Sequence, residues 1–370
     1  MEKSRHAAAR RHHARVTISD VAVRAGVSPM TVSRVINSEG NVRDSTRAAV
    51  DAAIRELGYS PNPAARSLAS ASPLQVCLLY ANPSSTYLIA MLLAALERVR
   101  ENDTQIVVAE CYGEADAERT IIDLLKRGIS GVLLVPPLAD SLQLLNLLKE
   151  RDVPTVTMGS QLVCEGISSV MIDDRSAACT MTEYLIGLGH RRIGFITGDP
   201  KYLVSEVRES GYRDALRAAG IKWRPELVAT GRFSYRSGLD AADRLLALPE
   251  IPTAICASND EMAAAAISVA HRRNIDVPGE LTVTGFDDTL LATTVWPKIT
   301  TIRQPISDMS HAAIDLLARS IRASSAARDT ECEHLTLDYS LITRESSAPP
   351  ARRVPWDHYH LIVQRFSSRV

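Results

Sequence analysis

From residue 74 onward, short runs rich in β-branched and aliphatic residues alternate with longer stretches whose apolar positions recur every three or four residues. Val76-Cys-Leu-Leu-Tyr80, Gln105-Ile-Val-Val-Ala109, Gly131-Val-Leu-Leu-Val135 and Pro154-Thr-Val-Thr-Met158 read as buried strands. Helix-period segments near residues 87–101, 115–127 and 141–150 separate them. The pattern then restarts, with helices near 175–188, 206–219, 235–248 and 260–273 between the strands Arg192-Ile-Gly-Phe-Ile196, Leu227-Val-Ala229, Ala254-Ile-Cys256 and Leu281-Thr-Val-Thr284. Strands separated by helices imply right-handed βαβ units and parallel sheets covered on both faces. Two such sheets in tandem leave a cleft between them, and open α/β sheets bind ligands at the carboxyl ends of their strands.

The first sixty residues follow a different rhythm. Ile18, Val21, Ala22 and Ala25 form one apolar stripe at helical spacing. Gly26 supplies a turn with positive φ, Ser28 a cap and Pro29 the first position of a second helix. Val32, Val35 and Ile36 are its inward side, and Pro29, Met30, Thr31, Ser33 and Arg34 its outward side. Asp44-Ser45-Thr46 caps a third helix with Val50, Ala53, Ile54 and Leu57 on one stripe, ended by Gly58. Three helices can bury one small core. On spacing alone, the first two read equally as a DNA reader with its N-terminal end in a major groove or as an αα-hairpin closing a bundle. Asn62 and Pro63 can open one more short helix, too short to persist alone in water.

Charge divides the chain the same way. Residues 1–70 carry eleven Lys and Arg against six acids, a net of +5, leaving 31 cations against 37 acids, or −6, on the other 300 residues. The whole-chain value of −1 hides a basic head, the kind that binds phosphate, on an acidic body. Residues 1–15 lack apolar periodicity and read as a disordered basic tail; with no apolar h-region they are no signal peptide. No apolar run approaches the ~20 residues of a membrane span. The six cysteines form no Cys-x-x-Cys pair and mostly sit in apolar surroundings, as free thiols in a reducing cytoplasm would, so neither zinc nor redox chemistry is indicated.

Four motifs in order, Val16-Thr-Ile-Ser-Asp-Val-Ala, Ala25-Gly-Val-Ser, Thr31-Val-Ser-Arg-Val-Ile-Asn and Leu57-Gly-Tyr-Ser-Pro-Asn-Pro-Ala-Ala-Arg-Ser-Leu, make residues 16–69 resemble the headpiece and hinge of the lactose/galactose repressor (LacI/GalR) family of bacterial transcription regulators. The resemblance continues through Leu188-Gly-His-Arg-Arg-Ile-Gly-Phe, Glu206-Val-Arg-Glu-Ser-Gly-Tyr-Arg-Asp-Ala-Leu, Ala257-Ser-Asn-Asp-Glu-Met-Ala, Val283-Thr-Gly-Phe-Asp-Asp and Ile299-Thr-Thr-Ile-Arg-Gln-Pro, to about residue 345. It implies an all-α helix-turn-helix headpiece followed by an α/β core of two tandem doubly wound parallel-sheet subdomains, like the type I periplasmic binding proteins. Its boundaries would be a headpiece over 16–60, hinge and linker over 61–73, a core over 74–345 and a tail over 346–370. In the core, the N-subdomain would take about 74–189 and 304–322, including a returning helix from Ile306 to Ile321. The C-subdomain would take about 190–300 and 333–345, including a strand from Leu335 to Ile342.

By the same resemblance Pro29, Met30 and Arg34 lie where bases are read, and Ser28, Thr31, Ser33 and Asn37 where phosphates are contacted. Arg34 can fork onto guanine O6 and N7, whereas Pro29 and Met30 offer only apolar contact. Leu68, flanked by Asn62 and Ala65, occupies the place of a minor-groove wedge; read by itself it is a buried helix leucine. The implied effector residues are Asn82, Asp173, Arg208, Asn259, Asp287 and Gln304, with Tyr87, Phe233 and Trp296 as walls. Carboxylates, amides and a forked guanidinium suit sugar hydroxyls, and an aromatic face suits a pyranose. Asp287 could instead cap a turn, Arg208 could lie on a helix surface, Tyr87 and Phe233 could be core aromatics, and Trp296 could pack in the crossover.

Enzymatic readings lack support in the motifs. No Gly-x-Gly-x-x-Gly follows the strand at 76–80, and there is no Walker sequence or Gly-x-Ser-x-Gly elbow. His190 reads as a capping or surface residue rather than an acid or base. The expected protein is therefore a cytoplasmic, dimeric, non-enzymatic repressor of a palindromic operator, without cofactor or metal, modulated by a sugar or glycoside. A purine or a partner protein is the rival occupant of the core. The tail, with Trp356, Tyr359, Val363 and Phe366 at helical spacing, reads either as a short docking helix or as disordered, and lacks the leucine heptads of a tetramerising coil.

Overall fold

The structure is a computed structural model that describes residues 16–36, 42–57, 74–81, 84–102, 104–325 and 332–351. Asn37, Asn62, Ala65, Leu68 and Asn82, the basic tail, the hinge and the residues beyond 351 lie outside the described residues. The chain divides into two compact units, residues 1–72 and 73–370.

The first unit contains α1 (Ile18–Ala25), α2 (Pro29–Ile36) and α3 (Asp44–Leu57). Thr17 caps α1 reciprocally, its hydroxyl accepting from the Asp20 amide while the Asp20 carboxylate accepts from the Thr17 amide. Such a capping box satisfies donors that the first turn otherwise leaves bare. Gly26 ends α1 in the left-handed region, φ 67°, where a side chain would be strained. Ser28 Oγ then accepts from the Thr31 amide at 3.2 Å. Val21, Ala22, Val32, Val35, Val50 and Ala53 form the buried centre, the stripes that periodicity assigns inward.

The second unit holds two six-stranded sheets. The first comprises β1 (Leu74–Tyr80), β2 (Thr104–Glu110), β3 (Gly131–Leu134), β4 (Thr155–Met158), β5 (Ser168–Ile172) and β11 (His334–Leu337), in the order 11-5-4-3-1-2 and all parallel. The second comprises β6 (Ile193–Thr197), β7 (Val228–Thr230), β8 (Ala254–Ala257), β9 (Thr282–Asp287), β10 (Thr300–Arg303) and β12 (Ser340–Ile342), in the order 12-10-9-8-6-7. Only β12 runs antiparallel, against β10. The helices are α4 (Ser85–Glu101), α5 (Glu114–Lys126), α6 (Leu142–Glu150), α7 (Asp174–Gly187), α8 (Leu203–Ala218), α9 (Tyr235–Leu246), α10 (Asp260–Arg272), α11 (Leu291–Thr294) and α12 (Ile306–Ser325).

Each sheet reverses its strand order beside its first strand, at β1/β3 and at β6/β8, which is where a doubly wound sheet opens a crevice. The returning helix α12 packs on α4, β3 and β4, as the family resemblance implies. Four expectations need correction. The run Leu335 to Ile342 is two strands: β11 pairs with β5 in the first sheet, and only β12 joins the second. Helix α7 packs on α8 and on β8, β10 and β12, so the N-subdomain ends near residue 173 rather than 189. The tail also starts later than Ser346, whose buried hydroxyl donates to the Val283 carbonyl at 2.6 Å and accepts from the Thr300 amide at 2.8 Å. His190 belongs to the same clasp. It is buried, with Nδ1 2.9 Å from Thr253 Oγ1 and Nε2 2.9 Å from the Ala348 carbonyl, and so is not a surface residue.

Helices α7 and α8 approach closely, which lets Asp174 on one meet Arg208 on the other. A Cβ on Gly211 would sit 2.1 Å from the Arg175 carbonyl oxygen, so only glycine lets the two backbones meet there. Tyr212 beside it is buried, stacks on Phe195 at 4.8 Å and donates to the Ile193 carbonyl.

Candidate functional site

Two sets of side chains carry the chemistry, one in each unit. In the headpiece, α2 turns Val32 and Val35 inward and leaves Ser28, Pro29, Met30 and Arg34 exposed, Met30 to 66 %. Thr31 and Ser33 are half-buried. Ser28 Oγ and Thr31 Oγ1 lie 2.9 Å apart, so these hydroxyls share a hydrogen bond at the helix start. Amides and hydroxyls at a helix N-terminus suit phosphate oxygens, and an exposed guanidinium one turn later can reach a base edge. Arg24 pairs with Glu56, which ties α1 to α3 and leaves Arg34 as the arginine of α2.

In the core, a cavity opens where the carboxyl ends of the two sheets face each other. Its walls include Tyr87, Arg208, Phe233, Asn259, Asp287 and Gln304, six of the residues implied by resemblance. Asp173 and Trp296 are not among them. Asp173 is the exposed N-cap of α7, its carboxylate taken up by the Ser176 amide and hydroxyl, and the next residue, Asp174, faces the cavity instead. Trp296 is 74 % exposed, neither in the cavity nor packed in a crossover.

Arg208 organises the polar wall. Its Nε donates to Asp174 Oδ1 at 2.7 Å, its Nη1 donates to the Ser258 carbonyl and lies 3.9 Å from Asp287 Oδ1, and its guanidinium stacks 3.7 Å from the Phe286 ring. The fork expected to bridge two ligand oxygens is thus largely engaged by the protein, leaving Nη2 for a ligand. Gln304 Nε2 donates to Asp287 Oδ1 at 2.6 Å. Asn259 is also occupied at both ends, accepting from the Met262 amide and donating to the Phe233 carbonyl, so it frames the cavity.

Burial sets the electrostatics. It pushes Asp287 well above the ordinary carboxylate range and raises Asp174 too, with Arg208 pulling both back. Behind them burial raises Asp260 to about 7, against hydrogen bonds from Thr301 and Thr289. The Tyr87 phenol is also raised by burial, with Asp287 and Asp174 adding to the effect, and remains a neutral donor. Two carboxyls share one guanidinium, so the wall favours a neutral ligand rich in hydroxyls over an anion. Asp287, at φ 109°, and Phe233, at φ 58°, hold left-handed backbone without being glycine. Such conformations persist where surrounding structure over-determines them and cluster at ligand sites.

Tyr202, absent from the residues implied by resemblance, contacts Phe233 edge-on at 5.3 Å and makes an aromatic wall with it. Ser84 and Val204 line the cavity as well. The available signal is position: each follows the first strand of its sheet, on the β1 and β6 loops that face a switch point. Among the described residues, no group of His, Cys, Asp or Glu could hold a metal ion, and no helix is long and apolar enough to cross a membrane.

Known protein families match segments in both units. Residues 17–62 match the family described as bacterial regulatory proteins, lacI family, and residues 182–347 match the periplasmic binding protein-like domain. The catabolite control protein A of Priestia megaterium is 33 % identical over 82 % of this chain and 92 % of its own length. A solved complex of the transcriptional regulator CelR with cellobiose is 33 % identical with a TM-score of 0.68, covering 90 % of this chain and 100 % of the other. The lac repressor dimer, solved bound to operator and an anti-inducer, is 26 % identical with a TM-score of 0.65, covering 90 % and 99 %. These relatives are regulators and not enzymes, and the chain belongs to the LacI family of bacterial transcription regulators.

Proposed function

We propose that this chain is a cytoplasmic repressor that binds a palindromic operator as a homodimer, with an affinity set by a small unphosphorylated sugar or glycoside in the cleft between its subdomains. The observation that carries the effector reading is the cavity itself, where Asp174, Asp287, Gln304 and Tyr87 offer acceptors and donors beside the Tyr202 and Phe233 rings. Hydroxyl-rich ligands need that mixture, and cellobiose in the CelR complex is a ligand of this kind. A phosphorylated sugar would bring negative charge against two buried carboxyls.

Dimerisation is supported by apolar surface that the chain leaves uncovered. Ile89, Leu93 and Leu96 are exposed on α4, beside Val107 and Val108 of the edge strand β2, and Leu290 and Trp296 are exposed in the second subdomain. Uncovered apolar patches of this sort mark association surfaces, and the operator-bound lac repressor is a dimer. Two copies would place two α2 helices in successive major grooves, with Pro29, Met30 and Arg34 at the bases and Ser28, Thr31, Ser33 and Asn37 at phosphates. Asn62, Ala65 and Leu68 of the hinge would enter the minor groove, with Leu68 as the wedge. Effector binding would then act by linkage, changing how the two copies present their hinges. Leu68→Ala is expected to weaken operator binding sharply while leaving effector affinity unchanged; unaltered operator affinity would remove the wedge.

A thermal-shift panel of monosaccharides, disaccharides, glycosides, sugar phosphates and purines tests the effector class. A ligand bound only by the folded state raises Tm with concentration. Neutral sugars or glycosides should raise it and sugar phosphates should not. A shift from purines alone would overturn the reading.

A further inference from the structure

Two helices flank the mouth of the cavity, one in each subdomain, and neither is capped by its own N-cap side chain. Helix α4 begins after Ser84, which makes no capping bond, and α8 begins after Tyr202, which cannot cap. A helix start needs acceptors for its first amides and favours negative charge there. Both are met from across the cleft. Glu261, on the first turn of α10 in the second subdomain, is buried with Oε1 3.1 Å from the Thr86 amide. The same oxygen accepts from Ser84 Oγ at 3.1 Å, Thr86 Oγ1 at 3.0 Å and Ser85 Oγ at 3.4 Å. In the opposite direction Asp140, from the short 3-10 turn Leu138–Asp140 of the first subdomain, accepts the Leu203 amide on Oδ2 at 3.2 Å. Its other oxygen is fixed by Ser160 Oγ at 2.6 Å. A third bond runs from Tyr202 Oη to the Ala81 carbonyl at 3.0 Å.

We propose that Glu261 and Asp140 are a reciprocal latch that holds the cleft shut before any effector arrives. They are positioning residues: Glu261 fixes the helix start that carries Ser84 and Tyr87, and Asp140 fixes the one that carries Tyr202 and Val204, four of the cavity walls. The closed state is then the resting state and the effector enters through transient opening. The apparent dissociation constant is the intrinsic one divided by the fraction of molecules already competent, so a latch that raises this fraction raises apparent affinity. The identity of the occupant rests on the function proposed above; the latch is tested without any ligand.

The test is hydrogen–deuterium exchange of the effector-free full chain, read at the segments 84–90 and 202–207, with Glu261→Ala and Asp140→Ala compared to the unaltered protein. Each variant should accelerate exchange about tenfold at both segments, including the one capped by the untouched carboxylate; tenfold is about 1.4 kcal/mol of closure. Glu261→Gln keeps an acceptor and should restore most of the protection. Acceleration confined to the segment that lost its own cap would mean two local caps and no latch. If one alanine variant failed to fold, the other together with Glu261→Gln would decide, since either a remote effect appears in them or it does not. A chain whose cavity binds no sugar could still show the coupled exchange, which separates failure of the effector reading from failure of the latch.

Discussion

Replacing Arg208 by methionine removes the one cation among the described residues of the cavity wall while filling most of its volume. In the native protein this guanidinium is buried, 2.7 Å from Asp174 and 3.9 Å from Asp287, whose carboxyls are buried as well. Removing one partner of a buried pair leaves the other charge uncompensated, at a cost of about 3–5 kcal/mol. Two carboxyls lose their counter-ion here, although each can take up a proton, which limits the loss to that range. The Ser258 carbonyl and the Phe286 face lose their contacts too. Urea unfolding of the full chain, analysed for the core transition, should therefore show Arg208→Met destabilised by about 3–5 kcal/mol. Adding Asp174→Asn should recover part of that loss, because the remaining amide needs no counter-ion. A deficit below about 1 kcal/mol, or a double variant no more stable than Arg208→Met, would refute the claim that the wall is held by buried charge.

Three further outcomes concern other parts of the molecule. Gly211→Ala places a methyl 2.1 Å from the Arg175 carbonyl, and forcing α7 from α8 should cost about 1–3 kcal/mol in the same unfolding assay while weakening effector binding, since Asp174 and Arg208 sit on these helices. Asp260 is raised to about 7, so between the ordinary carboxylate range and pH 7 the folded state holds a proton that the unfolded chain has released; its contribution to stability is full at low pH and is lost as pH rises through about 7. Tm should accordingly fall more steeply from pH 5 to 8 in the unaltered protein than in Asp260→Asn, and parallel curves would contradict the assignment. Arg34→Ala should reduce discrimination between operator and random duplex more than it reduces nonspecific affinity, as measured by fluorescence anisotropy at fixed salt; equal losses on both would argue against direct readout.

The headpiece is legible in the sequence because its punctuation is local. Gly26, Ser28 and Pro29 each act within a few residues, and the stripes of α1 to α3 need only helical period to be read. The Thr17–Asp20 capping box is equally local, although the apolar stripes alone do not reveal it. Strand β5 escapes the hydrophobic pattern, since Ser168 and Ser169 lead a run with little apolar signal before Val170. Residues 335–342 look like one continuous strand because nothing in Leu-Thr-Leu-Asp-Tyr-Ser-Leu-Ile marks the crossing at Asp338 and Tyr339.

At the cavity, residue types are legible and their commitments are not. In the doublet Asp173-Asp174, helix phase decides which carboxyl turns inward, because neighbours on a helix point about 100° apart. Arg208 can be placed near a ligand, but the Ser258 carbonyl that occupies it comes from the end of a strand fifty residues away. The carboxylates Glu261 and Asp140 cap helices in the opposite subdomain, so neither has a local partner from which the role could be read.

The most direct test of ligand-controlled DNA binding joins the two units in one titration. Anisotropy of a labelled palindromic operator, selected on the purified full-length chain, is followed with and without a sugar from the panel whose calorimetric binding is lost in Arg208→Met. Coupling between sites typically amounts to about 1–3 kcal/mol, so saturating sugar should shift operator affinity by at least about fivefold. A sugar that fills the cavity and leaves operator affinity unchanged would contradict the account.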